Sequence, residues 1–335
     1  MHAQVREVAR QRLTDLQPYT QRMRPLILIL ALAACFSGGR SGPLVFAEPR
    51  EDVLVDSAML MMDLEELASD AMQGRRAGTE GNAMAREYVT RGFEMAGLQR
   101  FGDSFHHPFS YMRRDSTEVE GVNVVGWVGG ESSDRVVLVI AHYDHVGVRN
   151  GEIYNGADDN ASGTAALLAL AQHFAFAMPR HTVVFAALDA EEEGLRGARA
   201  FVADPPLDLD AVAVVVNMDM ISRNEANELY VAGTSHYPQL SEFVDSVAAV
   251  TSINLIKGHD TPVPSPRDDW TNQSDHGAFH AVGIPFLYFG VEDHPGYHQP
   301  TDTADAITPA FYIRAASAVI MMVEVLDRNL ERITR

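Results

Sequence analysis

Several apolar runs in this sequence are followed at once by acidic and histidine side chains. His142, Asp144 and His145 follow RVVLVIA, and Asp219 follows AVAVVVNM. Three consecutive glutamates, residues 191–193, follow TVVFAAL, and the segment HPGYH comes soon after IPFLYF. Each cluster alone fits a polar turn or a solvated helix start, but together they would require every strong apolar run to end in a metal-ligand residue type by chance. Histidine and carboxylate groups without a thiolate suit a pair of divalent ions such as zinc.

Two adjacent acids, Asp158 and Asp159, lie in the stretch NGADDNASG. Neighbouring carboxylates repel each other, and burial of either one is costly unless a positive charge compensates. A solvated turn with Asn160 or Ser162 as a helix N-cap is the simpler interpretation of this stretch alone. The other clusters favour a second interpretation, because a carboxylate between two cations can be both buried and ionised.

Strand-like and helical segments alternate along the chain, and this order predicts how the clusters meet. RVVLVIA, TVVFAAL and AVAVVV are continuous apolar runs, and the last helix is expected from Pro309 to Leu330. Such runs are typical of a largely parallel sheet covered by helices on both faces. Ligands bind in these sheets at the carboxyl ends of the strands. The predicted fold class is α/β, a three-layer α/β/α sandwich with a largely parallel mixed central sheet.

Composition excludes several function classes. The 335 residues are 46% hydrophobic and 21% charged, as in a globular protein. A net charge of −20 argues against nucleic acid as a partner, since phosphate binding needs a basic surface. Lys257 is the only lysine, which disfavours Schiff-base catalysis, and Cys35 is the only cysteine, which excludes disulfide frameworks and cysteine-based zinc sites.

The N-terminal part has the pattern of an export signal. Arg22 and Arg24 precede the short apolar run PLILILALAAC, which is typical of a signal-peptide core and too short for a membrane span. The segment LAAC resembles the lipobox of bacterial lipoproteins, which predicts a lipid on Cys35. The alternative is an ordinary signal peptide cleaved near Ala34 or Ala47.

These features divide the chain into three parts. Residues 1–35 are predicted to be a signal segment with a lipobox, in which Met23 is an alternative start, and residues 36–57 a tether. Residues 58–335 are predicted to be a single catalytic domain. The expected location is periplasmic or at the cell surface, with membrane contact only through the lipid anchor, and otherwise secreted.

The motifs in this order resemble the co-catalytic di-zinc peptidases of metallopeptidase family twenty-eight. The resemblance covers about residues 58–330 and is carried most specifically by AHYDHVG, NGADDNASG, AEEEGLRG, NMDM and HPGYHQPTDT. The family includes leucyl aminopeptidases, aminopeptidase Y and glutamate carboxypeptidase II. The resemblance implies a zinc-exopeptidase-like fold and two Zn²⁺ per chain. It implies five ligands: His142, Asp158, Glu192, Asp219 and His298.

Carried over residue by residue, the resemblance also implies roles. Asp158 resembles the bridging ligand, and Asp159 the residue after it, where the family has an unusual cis peptide. Glu191 resembles the general base. Tyr297, beside a ligand, is expected to donate to the oxyanion. Glu193 is expected to be solvated.

Two further carboxylates are expected to orient histidine ligands. Asp144, two residues past His142, suits a carboxylate–histidine–zinc contact. Asp302 is expected to do the same for His298. His145, His276 and His294 are expected to line the pocket as supporting groups rather than ligands, and together with Asp144 and Asp302 they complete the predicted site.

The function that follows is a zinc aminopeptidase acting on peptides with a free N-terminus. A glutaminyl-peptide cyclase with one zinc and a di-zinc carboxypeptidase are alternatives within the same fold. A metal-free binding module, as in transferrin receptors, is a further alternative. Metal content per chain separates them: about two ions for the peptidase, one for the cyclase and none for the binding module.

Overall fold

The computed structural model describes residues 44–261 and 268–334. The helices in this part of the chain are α1 Ser57–Leu67, α2 Glu80–Ala96, α3 Gly163–Ala177, α4 Arg196–Ala203, α5 Ser241–Ala248, α6 His276–His280 and α7 Pro309–Arg328. The strands are β1 Gln99–Arg100, β2 His106–Met112, β3 Glu118–Val128, β4 Ser132–His142, β5 Gly147–Arg149, β6 Glu152–Tyr154, β7 His181–Leu188, β8 Val212–Met218, β9 Glu228–Ala232, β10 Asn254–Lys257 and β11 Phe286–Gly290.

A nine-stranded sheet forms the centre of the described residues. Its order is β1-β3-β7-β4-β8-β11-β9-β10, with β2 paired to β3. Strands β7, β4, β8 and β11 are parallel, whereas β3 pairs antiparallel with β7, and β9 antiparallel with β11. The prediction of a largely parallel mixed sheet is confirmed. The antiparallel hairpin of β2 and β3 extends further than the sequence pattern indicated.

The central strands are buried on both faces, which is why their sequences are continuous apolar runs. Along β4, Val137 and Val139 belong to one hydrophobic cluster with residues of α1, α3 and α7. Leu138 and Ile140 belong to a second cluster with residues of α4 and α6. The sheet therefore lies between two helical layers, as predicted.

Local signals explain the ends of several helices. The Thr79 side chain accepts a hydrogen bond from a backbone N–H in the first turn of α2, and Gly97 ends that helix in the left-handed region at a φ of 78°. Helix α7 begins at Pro309, as predicted, and ends at Arg328. It is long and apolar enough to cross a membrane, but 72% of its most apolar window is buried inside the protein. It is a core helix.

The predicted tether differs from the structure in its described part. Val45 and Asn329 exchange hydrogen bonds between backbone and side chain at 2.9 and 2.7 Å. The backbone N–H of Leu54 donates to Ser317 Oγ at 3.0 Å, and Val55 is buried. Residues 44–56 therefore pack against the domain, because their backbone groups find partners on α7 and just beyond it. The signal segment and Cys35 lie outside the described residues.

Candidate metal centre and active site

The carboxyl ends of three neighbouring strands bring the central acids and imidazoles together. His142 is the last residue of β4, and Asp219 follows β8, which pairs parallel with β4. Glu191 and Glu192 follow β7 on the other side of β4. His298 comes from the loop after β11. The convergence predicted from the sequence is therefore present at one edge of the sheet.

One metal-ligand cluster comprises His142, Asp159 and Asp219, all buried. His142 Nε2 lies 3.3 Å from Asp219 Oδ1 and 3.5 Å from Asp159 Oδ1. A second cluster comprises Asp159, Glu192, His298 and His145. His298 Nε2 lies 3.1 Å from both Asp159 Oδ2 and Glu192 Oε2.

The structure fits bound cations in both clusters. Burial and the neighbouring Glu192 raise the pKa of Asp159, and His145 and His298 offset this only in part, so the positive charge around this buried carboxylate does not balance the effect of burial. Burial opposes a charge on His298, but Asp159 and Glu192 overcome it and raise its pKa to about 10. His145 Nδ1 and Glu192 Oε1 are buried 2.8 Å apart without a well-directed hydrogen bond, and the buried His145 Nε2 has no hydrogen-bond partner among the described residues. Orphaned ligand atoms of this kind are satisfied by a metal ion.

Asp159, and not Asp158, is the carboxylate shared by the two clusters. The bridge predicted at Asp158 is wrong by one residue. The Asp158 carboxylate has other partners: its Oδ1 accepts hydrogen bonds from Ser222 N at 2.7 Å and from Ser222 Oγ at 2.8 Å. Its Oδ2 lies 3.1 Å from His294 Nε2. The cis peptide expected beside the bridge joins Asp159 to Asn160.

The two predicted orienting carboxylates have different outcomes. Asp144 Oδ1 lies 3.6 Å from His142 Nδ1 and accepts a hydrogen bond from Glu191 N at 3.0 Å. It therefore contacts both the histidine and the glutamate turn. Asp302 does not orient His298. It accepts from the backbone N–H groups of Asp158 and Asp159, and so fixes the loop that carries the shared acid.

Glu191 and Tyr297 line a cavity of about 50 Å³ beside the clusters. Burial raises the pKa of Glu191 well above its ordinary value, which suits a group that exchanges protons. Burial and the nearby Asp159 raise the pKa of Tyr297, so its hydroxyl stays a donor. Its ring stacks on His298 at 4.1 Å between centroids. Both predicted catalytic groups therefore border the space where a substrate would react.

Glu193 is not solvated as predicted. Its carboxylate accepts hydrogen bonds from Arg113 Nε at 2.7 and 2.8 Å and from Arg76 Nε at 3.2 Å. Only 15% of the side chain is exposed. The ion pairs lower the pKa of Glu193 against the effect of burial.

Arg75 was not predicted as part of the site, and His145, predicted as a supporting group, lies within the second cluster. The fully buried Arg75 guanidinium donates to the backbone carbonyls of four residues: Leu67, Tyr143, Asn155 and Gly156. It ties the segment after His142 to the loop before Asp158. No local pattern marks it, because its partners are distant in sequence. His145 Nδ1 lies 2.8 Å from Glu192 Oε1, inside the second cluster. Its position in HYDH was the available signal.

His276 is a structural group. Its Nε2 lies 2.9 Å from Trp270 O, and its Nδ1 lies 3.1 Å from Asn217 Nδ2. Burial lowers the pKa of His276 to about 4, so the ring is neutral.

Comparison with known sequences gives one family. Residues 123–323 match the sequence model of peptidase family M28. Aminopeptidase YwaD of Bacillus subtilis is 31% identical over 186 residues, which are 52% of this chain and 37% of that protein. A probable leucine aminopeptidase of Arthroderma otae is 27% identical, over 56% of this chain and 53% of that protein. The chain thus spans about half or less of the length of these relatives.

Solved structures share the fold. The zinc aminopeptidase BSAP of Bacillus subtilis superimposes with a TM-score of 0.67 at 18% identity, over 82% of this chain and 96% of that one. A glutaminyl cyclase of Porphyromonas gingivalis gives 0.68 at 16% identity, over 81% and 98%. At such identities the likeness concerns the fold alone.

Proposed function

Since the chain belongs to peptidase family M28, we propose that it is a zinc aminopeptidase that binds two zinc ions through a shared carboxylate. The observation that carries the proposal is the position of Asp159 in both ligand clusters. His142 and Asp219 would hold one ion with it, and Glu192 and His298 would hold the other, with His145 adjacent. Zinc bound there would supply a water molecule of lowered pKa and a Lewis acid for the scissile carbonyl.

The protein groups supply the proton transfers and the oxyanion contact. Glu191, which lines the small cavity beside the clusters, would accept a proton from the attacking water and return it to the leaving amine. Tyr297 remains protonated and donates to the oxyanion. The Asp144 carboxylate holds the Glu191 backbone at 3.0 Å and so fixes the base beside the cluster.

The small cavity favours a free amino terminus. Asp159, Asp219 and Asp293 line it together with the apolar side chains of Trp270 and Val291. Asp293, the one of these acids that is not a proposed metal ligand, would attract an ammonium group, and the apolar walls suit a hydrophobic side chain. The proposed substrates are therefore peptides with an unblocked, apolar N-terminal residue.

A substrate panel with a metal assay tests this function. Leucyl-p-nitroanilide should be hydrolysed, its N-acetyl form should resist, and the protein should hold about two zinc ions per chain. Cyclisation of a glutaminyl peptide with one bound ion would identify the cyclase alternative. Release of C-terminal residues would identify the carboxypeptidase, and absence of metal and turnover the binding module.

We further propose export and a lipid anchor on Cys35, supported by the LAAC segment that holds the only cysteine. Wild-type protein should sediment with membranes, and Cys35→Ser should be soluble. Equal solubility of the two proteins would refute the anchor.

A further inference from the structure

A second cavity borders the metal centre and has an unusual lining. It measures about 650 Å³, within the usual range of ligand pockets. Five of its lining residues are arginines: Arg76, Arg113, Arg114, Arg196 and Arg199. The whole chain carries only 26 basic residues and a net charge of −20. Three acids, Asp115, Glu192 and Glu193, also line the cavity, so the arginines outnumber them. An excess of arginine over acid in so acidic a chain indicates a binding site for an anion.

The cavity contacts the catalytic centre through Glu192. That residue lines the arginine cavity, while its carboxylate lies 3.1 Å from His298 and 2.8 Å from His145. Its neighbour Glu191 lines the small cavity. Consecutive residues of one turn thus border the two cavities, although the cavities share no lining residue. Since both cavities adjoin the cluster, the arginine cavity is a candidate site for the rest of a peptide whose amino terminus fills the small cavity.

The arginines divide into a fixed group and a free group. Arg113 and Arg76 bind the Glu193 carboxylate, and Arg196 Nε donates to the Glu193 carbonyl at 3.0 Å. Arg114 and Arg199 are exposed, and neither forms an ion pair with the described part of the chain. Glu193 thus holds the wall of the cavity in place, and two guanidinium groups stay available.

We propose that this arginine cavity binds a carboxylate of the substrate on the leaving-group side of the scissile bond. Planar guanidinium groups match a carboxylate with paired hydrogen bonds, which gives them an advantage over lysine. The carboxylate comes from an acidic side chain or from the C-terminus of a short peptide. This inference rests on the proposed function and adds a preference for acidic or short peptides.

Binding is measured so that the answer does not depend on turnover. The zinc-loaded Glu191→Gln protein is titrated calorimetrically with Leu-Ala-Glu-amide and Leu-Ala-Gln-amide, which differ only in one carboxylate. Leu-Ala-Gln with a free C-terminus, compared with its amide, tests the other source. We expect about threefold to tenfold tighter binding of at least one carboxylate form at low ionic strength, and a smaller difference at high salt.

Arginine variants test whether the preference for carboxylate-bearing peptides arises in this cavity. In the same background, Arg114→Gln with Arg199→Gln should remove the preference and leave binding of the amide peptides unchanged. Arg180→Gln, an exposed arginine outside the cavity, should keep the preference. Equal affinity for both members of both pairs, or a preference that survives the double substitution, would overturn the inference. Failure of the proposed function is seen separately, as wild-type protein that does not hydrolyse leucyl-p-nitroanilide, a substrate without a carboxylate.

Discussion

Asp302 Oδ2 accepts a hydrogen bond from the backbone nitrogen of Asp159 at 3.1 Å, although 143 residues separate them in sequence. The same carboxylate accepts from Asp158 N at 3.0 Å and is fully buried. Asp302 thereby holds the backbone of the carboxylate shared by both ligand clusters. Asp302 therefore acts on the metal centre through the backbone of the loop. Its carboxylate forms no hydrogen bond or ion pair with a predicted ligand side chain in the described part of the chain.

Asp302→Asn should therefore weaken both the fold and the metal site. Loss of a charged, buried acceptor costs about 1–3 kcal/mol in the free energy of unfolding. Zinc affinity should fall as well, since the shared acid is less firmly held. Urea denaturation and competition with a zinc chelator measure the two effects. Asp305→Asn, an exposed acid on the following turn, is the matched control. Unchanged zinc affinity in Asp302→Asn would contradict the positioning role.

Substitution of the two adjacent acids should have different effects on zinc binding and on stability. Asp159→Asn removes the ligand common to both clusters and should leave the purified protein with little zinc. Asp158→Asn removes the charged partner of Ser222 and His294 and should lower stability while zinc stays bound. Zinc per chain after dialysis, with thermal denaturation, measures both. The reverse pattern, with zinc lost only from Asp158→Asn, would return the bridge to its predicted position.

That pair also shows where sequence reasoning reaches its limit. The apolar runs identified β4, β7 and β8 because central parallel strands are buried on both faces, and their ends placed His142 and Asp219 correctly. The side chains of two adjacent aspartates are chemically identical. Which of them faces the ligand clusters depends on the backbone conformation of the folded loop, and the sequence pattern does not specify that conformation.

Contacts between residues far apart in the sequence could not be predicted either. Glu193 was expected in water because the family resemblance makes it the variable residue between the two functional glutamates and Gly194. Its partners Arg113 and Arg76 lie 80 and 117 residues away in sequence. The segment 44–56 was expected to be a tether because its composition is polar and proline-containing. Its backbone instead pairs with Asn329 and Ser317, which composition does not predict.

Arg75→Met should destabilise the protein strongly. Methionine fills similar space but leaves the carbonyls of Leu67, Tyr143, Asn155 and Gly156 without their buried donor. We expect a loss of about 3 kcal/mol or more in the free energy of unfolding, measured by chemical denaturation. Arg75→Lys should recover only part of it, because an ammonium group lacks the planar fork. The adjacent, exposed Arg76→Met is the control, and equal losses in Arg75→Met and Arg76→Met would contradict the clamp.

The three glutamates after β7 should show three different behaviours. Glu191→Gln keeps the shape of the side chain but cannot accept a proton, so kcat should fall by about 10²–10⁴-fold while zinc stays near normal. Glu192→Gln replaces a carboxylate ligand with a neutral amide. It should lose one zinc, and part of its activity should return at high zinc concentration.

Glu193→Gln should retain zinc and most of its turnover of leucyl-p-nitroanilide, because its carboxylate binds Arg113 and Arg76 rather than a metal ligand. It should tighten rather than weaken the binding of carboxylate-bearing peptides, because the substitution removes a negative charge from the lining and frees Arg113 and Arg76. Measuring kcat, zinc content and peptide affinity for all three variants tests the assignment. An inactive, zinc-replete Glu193→Gln beside an active Glu191→Gln would show that the base is assigned two residues too early.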